Sequence, residues 1–183
     1  APSELRSLLD GEGFQEFKRC LVHKLVERVP DIGVIKNNEY VVVRRITKLD
    51  EKQAFRGHYD SHMVTLAIPI SIPSSEVPDV GQLYLQRPSR GFKINFFEEY
   101  VEKARTRLRS KNFYRALMSA ESVREFRLDD GMPLAFLGSQ CLHFNGVNDS
   151  AETRVTLLIH LFDQADGAIS AGALMRRIRK AWR

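Results

Sequence analysis

Cysteine is almost absent: Cys20 and Cys141 are the only two in 183 residues. They stand far apart, without the density of a disulfide framework or the spacing of a zinc site. That scarcity favours a reducing setting, and the expected compartment is cytoplasmic. No apolar run approaches the roughly 20 residues that cross a bilayer, so no membrane span is expected. The first residues lack the basic–apolar pattern of a secretory signal. Internal repeats and low-complexity tracts are missing too, which excludes solenoids and fibrous chains.

What remains is an ordinary globular composition, 43% hydrophobic and 28% charged. The length predicts a single domain over 1–183, large enough to bury a sizeable core. A net charge of +5 and a pI near 9.4 would suit an acidic partner, but much of the excess lies at the C-terminus.

The most informative stretch is GHYDSHMVTLAIPI, Gly57 to Ile70. Val64, Leu66, Ile68 and Ile70 favour an extended strand. On a strand, residues two apart share a face, so His58 and Asp60 are expected to project together. A third candidate is His143 in CLHFNGVND, and Arg154 follows eleven residues later at the head of RVTLLIHLF. Two histidines and one carboxylate with open positions match the donor set of non-haem Fe(II) oxygenases. The H-x-D pair alone is a weak signal, since five histidines and ten aspartates give one by chance in roughly a quarter of such sequences. Its context carries more.

Around that stretch the periodicities alternate. Polar 1–13 is expected to be a short helix or irregular. Leu21, Leu25 and Val29 form the stripe of an amphipathic helix over Phe14–Val29, closed by Pro30. Tyr40–Thr47 reads as a strand on which Arg44 and Arg45 must face opposite ways. One of the two could meet an anionic ligand inside; residue type does not say which, and a surface pair is the simpler expectation. GQLYLQ, Val123–Leu128, the segment carrying His143, and Arg154–Phe162 supply further strands, and Leu134–Leu137 is an apolar run. Alternation on the last puts Arg154, Thr156, Leu158, His160 and Phe162 on one face. Between strands, 95–120 turns helical, and its basic cluster (Arg105, Arg107, Arg109, Lys111) is expected to be a solvated face. This insert is also a candidate lid. Ser170–Arg183 reads as a basic amphipathic helix docked on the sheet. His23, His62 and His160 are expected to be ordinary surface or packed histidines rather than ligands.

The order of these parts (H-x-D on a strand, a glycine-bearing strand, GMPLAFLGSQCLH, then R-V-T on a strand) resembles the Fe(II)/2-oxoglutarate-dependent dioxygenases of the cupin-like superfamily. The resemblance covers about Tyr40 to Asp163. It implies a mainly β fold with helices (α+β): a double-stranded β-helix, or jelly roll, over 40–163 with the helical insert 95–120, an N-terminal helix and a C-terminal helix. It implies that His58, Asp60 and His143 bind Fe(II), that Arg154 binds the 2-oxoglutarate co-substrate, and that Thr156 assists it. The implied enzyme uses O2 to oxidise a small organic substrate and releases succinate and CO2. Asp60, where halogenases leave a vacancy for halide, implies a hydroxylase. The nucleic-acid demethylase branch typically has Asn two residues after this arginine and a second Arg six after it. Here those positions hold Thr156 and His160, which disfavours nucleic acid as the partner.

Two rival readings follow from the same chain. A cupin-like protein could bind a metal or ligand without turnover, because fold does not imply function. A basic nucleic-acid-binding module rests on charge alone. Substrate identity and oligomeric state are not legible in the sequence.

Overall fold

The computed structural model describes residues 3–28, 35–48, 54–73, 79–89, 91, 101–102, 104–106, 108–128 and 131–164, with the backbone alone at 35–37 and 163–164. The expected C-terminal helix and the start of the insert lie outside these residues.

The described fold is mixed α/β, dominated by antiparallel strands in two sheets. Helices α1 (Ser3–Asp10) and α2 (Glu12–Arg28) come first, then β1 (Ile35–Ile46), β2 (His62–Ser71) and β3 (Leu83–Gln86). After α3 (Lys111–Met118) follow β4 (Val123–Phe126), β5 (Leu134–Phe136), β6 (His143–Asn145) and β7 (Arg154–Gln164). One sheet runs β1-β7-β2-β5 and the other β4-β3-β6.

The last strand is the spine of the larger sheet, pairing antiparallel with β1 on one side and β2 on the other. Its alternation separates two environments. Arg154, Thr156, Leu158 and His160 line an internal cavity. Leu157, Ile159 and Leu161 face the opposite way, into an apolar cluster with Val64, Leu66 and the helix residues Leu9 and Leu25. The helices therefore cover one face of the large sheet, and each fully buried aliphatic side chain contributes about 1.5–3 kcal/mol. Lys18 of α2, itself buried, meets Glu39 of β1 at 3.3 Å and ties the helix to the edge strand.

Phe162 departs from the expected alternation. Its φ of 62° is left-handed, the β1–β7 register slips between Lys36 and Glu39, and the ring joins the helix-side cluster instead of the cavity. The backbone kink, which apolar periodicity does not reveal, redirects that side chain.

The smaller sheet turns Leu83, His143 and Asn145 to the same cavity. Its other face carries Tyr84 and Phe144, stacked with centroids 5.3 Å apart and covered by Tyr114 of α3. Here α3 is a buttress. The Ser110 side chain caps it by accepting from Phe113 N, as an N-cap serine does. Tyr114, fully buried, donates to Thr106 O at 2.7 Å. Within the insert, α3 thus packs behind the small sheet, while the start of the insert, on which the lid expectation also falls, lies outside the described residues. The described charges of the insert are solvated as expected, with Arg105 on Glu102 at 2.9 Å and Arg109 over the Phe113 ring.

Candidate metal centre

His58, Asp60 and His143 come together. One ligand atom from each lies within 4.8 Å of the others. The route differs from the strand-parity expectation, because β2 begins only at His62. His58 instead forms a single antiparallel bridge with His143: His58 N donates to His143 O at 3.0 Å and His143 N to His58 O at 3.1 Å. Asp60 N donates to Gly138 O at 2.9 Å. Two short segments, one before β2 and one opening β6, are pinned by these bonds, and the imidazoles sit with ring centroids 4.3 Å apart.

Both rings are oriented by their own backbone. His58 Nδ1 lies 3.0 Å from Arg56 O, and His143 Nδ1 lies 2.9 Å from Cys141 O. A carbonyl only accepts, so each Nδ1 carries a proton and Nε2 is the nitrogen that each ring can offer a metal. Those Nε2 atoms are 3.8 and 3.5 Å from the Asp60 carboxylate. Burial, reinforced by the neighbouring His143, pushes the His58 pKa down to about 3 despite the opposing pull of Asp60. His58 is therefore neutral at pH 7, the form a metal requires. Its side chain keeps 42% of its exposure, which marks the open side of the cluster.

Burial alone would raise the Asp60 pKa. The charge and hydrogen bond of His143, and then those of His160, outweigh it and hold the carboxyl well below its ordinary value. Thr65 completes the setting: its hydroxyl donates to Asp60 Oδ2 at 2.5 Å and lies 3.0 Å from His160 Nδ1. A hydroxyl has one proton; with that proton on Asp60, His160 Nδ1–H is the donor to Thr65. His160 is thus a hydrogen-bonded core histidine, as expected, but it sits beside Asp60, 3.5 Å from Oδ2, rather than towards the far end of the strand. His62 is buried between Tyr40 and His160, with ring centroids 6.3 and 5.5 Å away, and is not one of the three clustered donors.

Two glycines make the cluster sterically feasible. A Cβ at Gly138 would stand 2.5 Å from both Asp60 Oδ2 and Thr65 Oγ1. One at Gly57 would lie 2.1 Å from the Tyr114 ring, so α3 can close against the backbone preceding His58 only because Gly57 has no side chain.

The same cavity, about 80 Å³, holds Arg154 and Thr156. That is several times the roughly 10–15 Å³ a single water needs. Arg154 is 1% exposed and its Nη1 donates to Val80 O at 3.4 Å. Opposite Arg154 in the β1–β7 register is Ile46, whose carbonyl accepts from Asn148 Nδ2 at 3.0 Å. The second Asn148 Nδ2 bond, 2.9 Å to Glu152 O, clips the loop that delivers Arg154 to β7. All five predicted site residues therefore border one cavity. Asn148, Gly138 and Thr65 were missed. Thr65 alone left a trace, as the one polar side chain in MVTLAIPI.

The residues fit a divalent metal on their chemistry: two oriented imidazoles, one ionised carboxylate and a side open to exogenous ligands. No family model matches the chain, and no curated protein matches it. Among solved structures it is similar to a cupin domain from Bordetella pertussis, at 13% identity and a TM-score of 0.34, over 70% of this chain and 88% of that one. It is also similar to a prolyl-4-hydroxylase from Pseudomonas putida, at 11% identity and a TM-score of 0.41, over 91% of this chain and 70% of that one. Likenesses this distant do not carry an activity across. Among the described residues, no helix is long and apolar enough to cross a membrane.

Proposed function

We propose that the chain is one domain with a double-stranded β-helix core, and that it is an Fe(II)- and 2-oxoglutarate-dependent dioxygenase acting on a small organic substrate. The observation that carries this reading is the shared cavity. The His58, Asp60 and His143 cluster borders it together with a buried arginine and a threonine on the same face of β7. A metal site alone would not need that arginine.

His58, Asp60 and His143 would hold Fe(II), with Asp60 as the single anionic protein ligand. Arg154 would hold the distal carboxylate of 2-oxoglutarate, for which its fixed planar fork is suited, and Thr156 would add a hydrogen bond. Bound Fe(II) and 2-oxoglutarate together supply the oxidising chemistry with O2, releasing succinate and CO2. The protein's part is orientation and exclusion of water. Thr65 and His160 fix the carboxylate, the Arg56 and Cys141 carbonyls fix the two rings, and the paired sheets enclose the cavity.

The test is succinate release under O2 from iron-loaded protein, with and without a substrate panel. The expected result is 2-oxoglutarate-dependent succinate that rises with a true substrate and disappears in Asp60→Asn. A cupin-like protein that binds without turnover would release none in any form.

A further inference from the structure

Arg44 is the cavity residue that this reading leaves unused. Its neighbour Arg45 points to solvent, whereas Arg44 borders the cavity. In the β1–β7 register Arg44 stands opposite Thr156 and Ile46 opposite Arg154, so the two arginines are diagonal neighbours on one inner wall. Diagonal positions of this kind are about 7–8 Å apart at Cα, close enough for like charges to repel in a shielded cavity. Among the described residues, no carboxylate lies within ion-pair distance of Arg44. Asp60, the only carboxylate among the described lining residues, is engaged by Thr65 and lies between His143 and His160. Burial lowers the Arg44 pKa while the charge of Asp60 works against that shift. The guanidinium is cationic at any physiological pH in either case.

Charge counting then points to the missing partner. Two arginines against one carboxylate leave the lining one charge positive, the histidine ligands being neutral in the form that holds a metal. A divalent metal adds two positive charges and 2-oxoglutarate removes two. One positive charge is left over, on the side of the cavity that Arg44 occupies. A phosphate monoester would overcompensate it; a single carboxylate matches it.

We propose that Arg44 is a second anion site, and that the prime substrate is a monocarboxylic acid whose carboxylate Arg44 holds while Arg154 holds 2-oxoglutarate. The inference rests on the proposed function, and it adds the substrate class. The carboxylate would anchor the substrate on the β1 wall, leaving its organic part between that wall and the His58–Asp60–His143 cluster.

Calorimetry on iron-loaded, oxygen-free protein tests it. Butyrate and phenylacetate, their primary amides, and phenyl phosphate are titrated with and without saturating 2-oxoglutarate. With 2-oxoglutarate bound, at least one acid should bind the wild type at least tenfold more tightly than its amide. Arg44→Gln should lose that preference yet bind 2-oxoglutarate within about threefold of wild type, and Arg44→Lys, which keeps the charge, should retain part of it. Melting curves for both variants exclude misfolding as the cause. Three outcomes overturn the proposal: acids and amides that bind equally or not at all, Arg44-dependent preference for phenyl phosphate, or a 2-oxoglutarate defect in Arg44→Gln as large as that of Arg154→Ala. The last would make Arg44 part of the co-substrate anchor. Failure of 2-oxoglutarate to bind the wild type strikes the parent reading instead. The titrations without it then decide Arg44: an acid preference lost in Arg44→Gln keeps the anion site, and its absence removes it.

Discussion

Arg154 and Thr156 reach the cavity from β7, an eleven-residue strand paired along both edges, whereas His58 and Asp60 reach it from a segment held by one bridge and the isolated backbone bonds of Phe55 to Asn145 and Asp60 to Gly138. The two walls solve the same positioning problem differently. On the arginine side, direction follows from the pleat: every second residue faces in, and helices seal the other face. On the ligand side the regular ladder is missing, so direction comes from carbonyls that orient the rings, a threonine and a histidine that hold the carboxylate, and glycines that admit close packing. An irregular wall can set ligand atoms where no pleat would place them, but it depends on more individual contacts. Substitutions on the ligand side should therefore act on metal binding, and those on the β7 side on the co-substrate.

The largest expected effect is the loss of a ligand. Asp60→Ala, His58→Ala or His143→Ala should lower metal affinity by more than the roughly 10–100-fold that removing a ligand's hydrogen-bond partner costs. Metal content after desalting measures it. Next comes Arg154→Ala, which strands the distal carboxylate without its cation. Leaving one partner of a buried pair costs about 3–5 kcal/mol, several-hundred-fold or more in 2-oxoglutarate affinity, with iron retained. Iron lost along with 2-oxoglutarate would mean that the two walls are not separable.

Thr65→Val removes the hydroxyl between Asp60 and His160 while keeping the branched shape. Metal affinity should fall about 10–100-fold, and 2-oxoglutarate affinity at saturating metal should stay close to wild type. The smallest effect concerns the support behind the ligand wall. Gly57→Ala places a methyl group on the Tyr114 ring, and overpacking of this kind costs about 1–3 kcal/mol. Measured against Tyr114→Leu alone, which removes the ring that the methyl would strike, the added Gly57→Ala change should recover part of that loss in a thermal melt. No recovery would show that the strain lies elsewhere than against the tyrosine.

The contrast between the walls also explains what could be read before the structure. Arg154, Thr156 and His160 share a face of β7, as alternation predicts, and the amphipathic stripe placed α2 within a residue or two. Those features are local periodicities that packing did not override. His58 and Asp60 were picked by residue type and spacing, but their strand was wrong by four residues, because a bridge to a segment 85 positions away leaves no periodic trace. The inward turn of Arg44 was undecidable for the same reason: two adjacent arginines carry no phase. Gly138 and Asn148 act through contacts distant in sequence and were invisible for that reason, whereas Thr65 left only its polarity in an apolar run as a trace. The place of α3 behind the small sheet follows from composition. A helix rich in aromatic residues was already equipped to bury one face, and the outer face of the small sheet offered Phe144.

The central claim is that one cavity holds a metal on one wall and a dicarboxylate on the other at the same time. Its most direct test is the visible charge-transfer absorption that Fe(II) acquires when a 2-oxo acid chelates it, recorded without oxygen during a 2-oxoglutarate titration. The account predicts a saturable band in the wild type, none in Asp60→Ala, and in Arg154→Ala the same band only at several-hundred-fold higher 2-oxoglutarate. A wild type that binds one iron yet shows no band at saturating 2-oxoglutarate would contradict it.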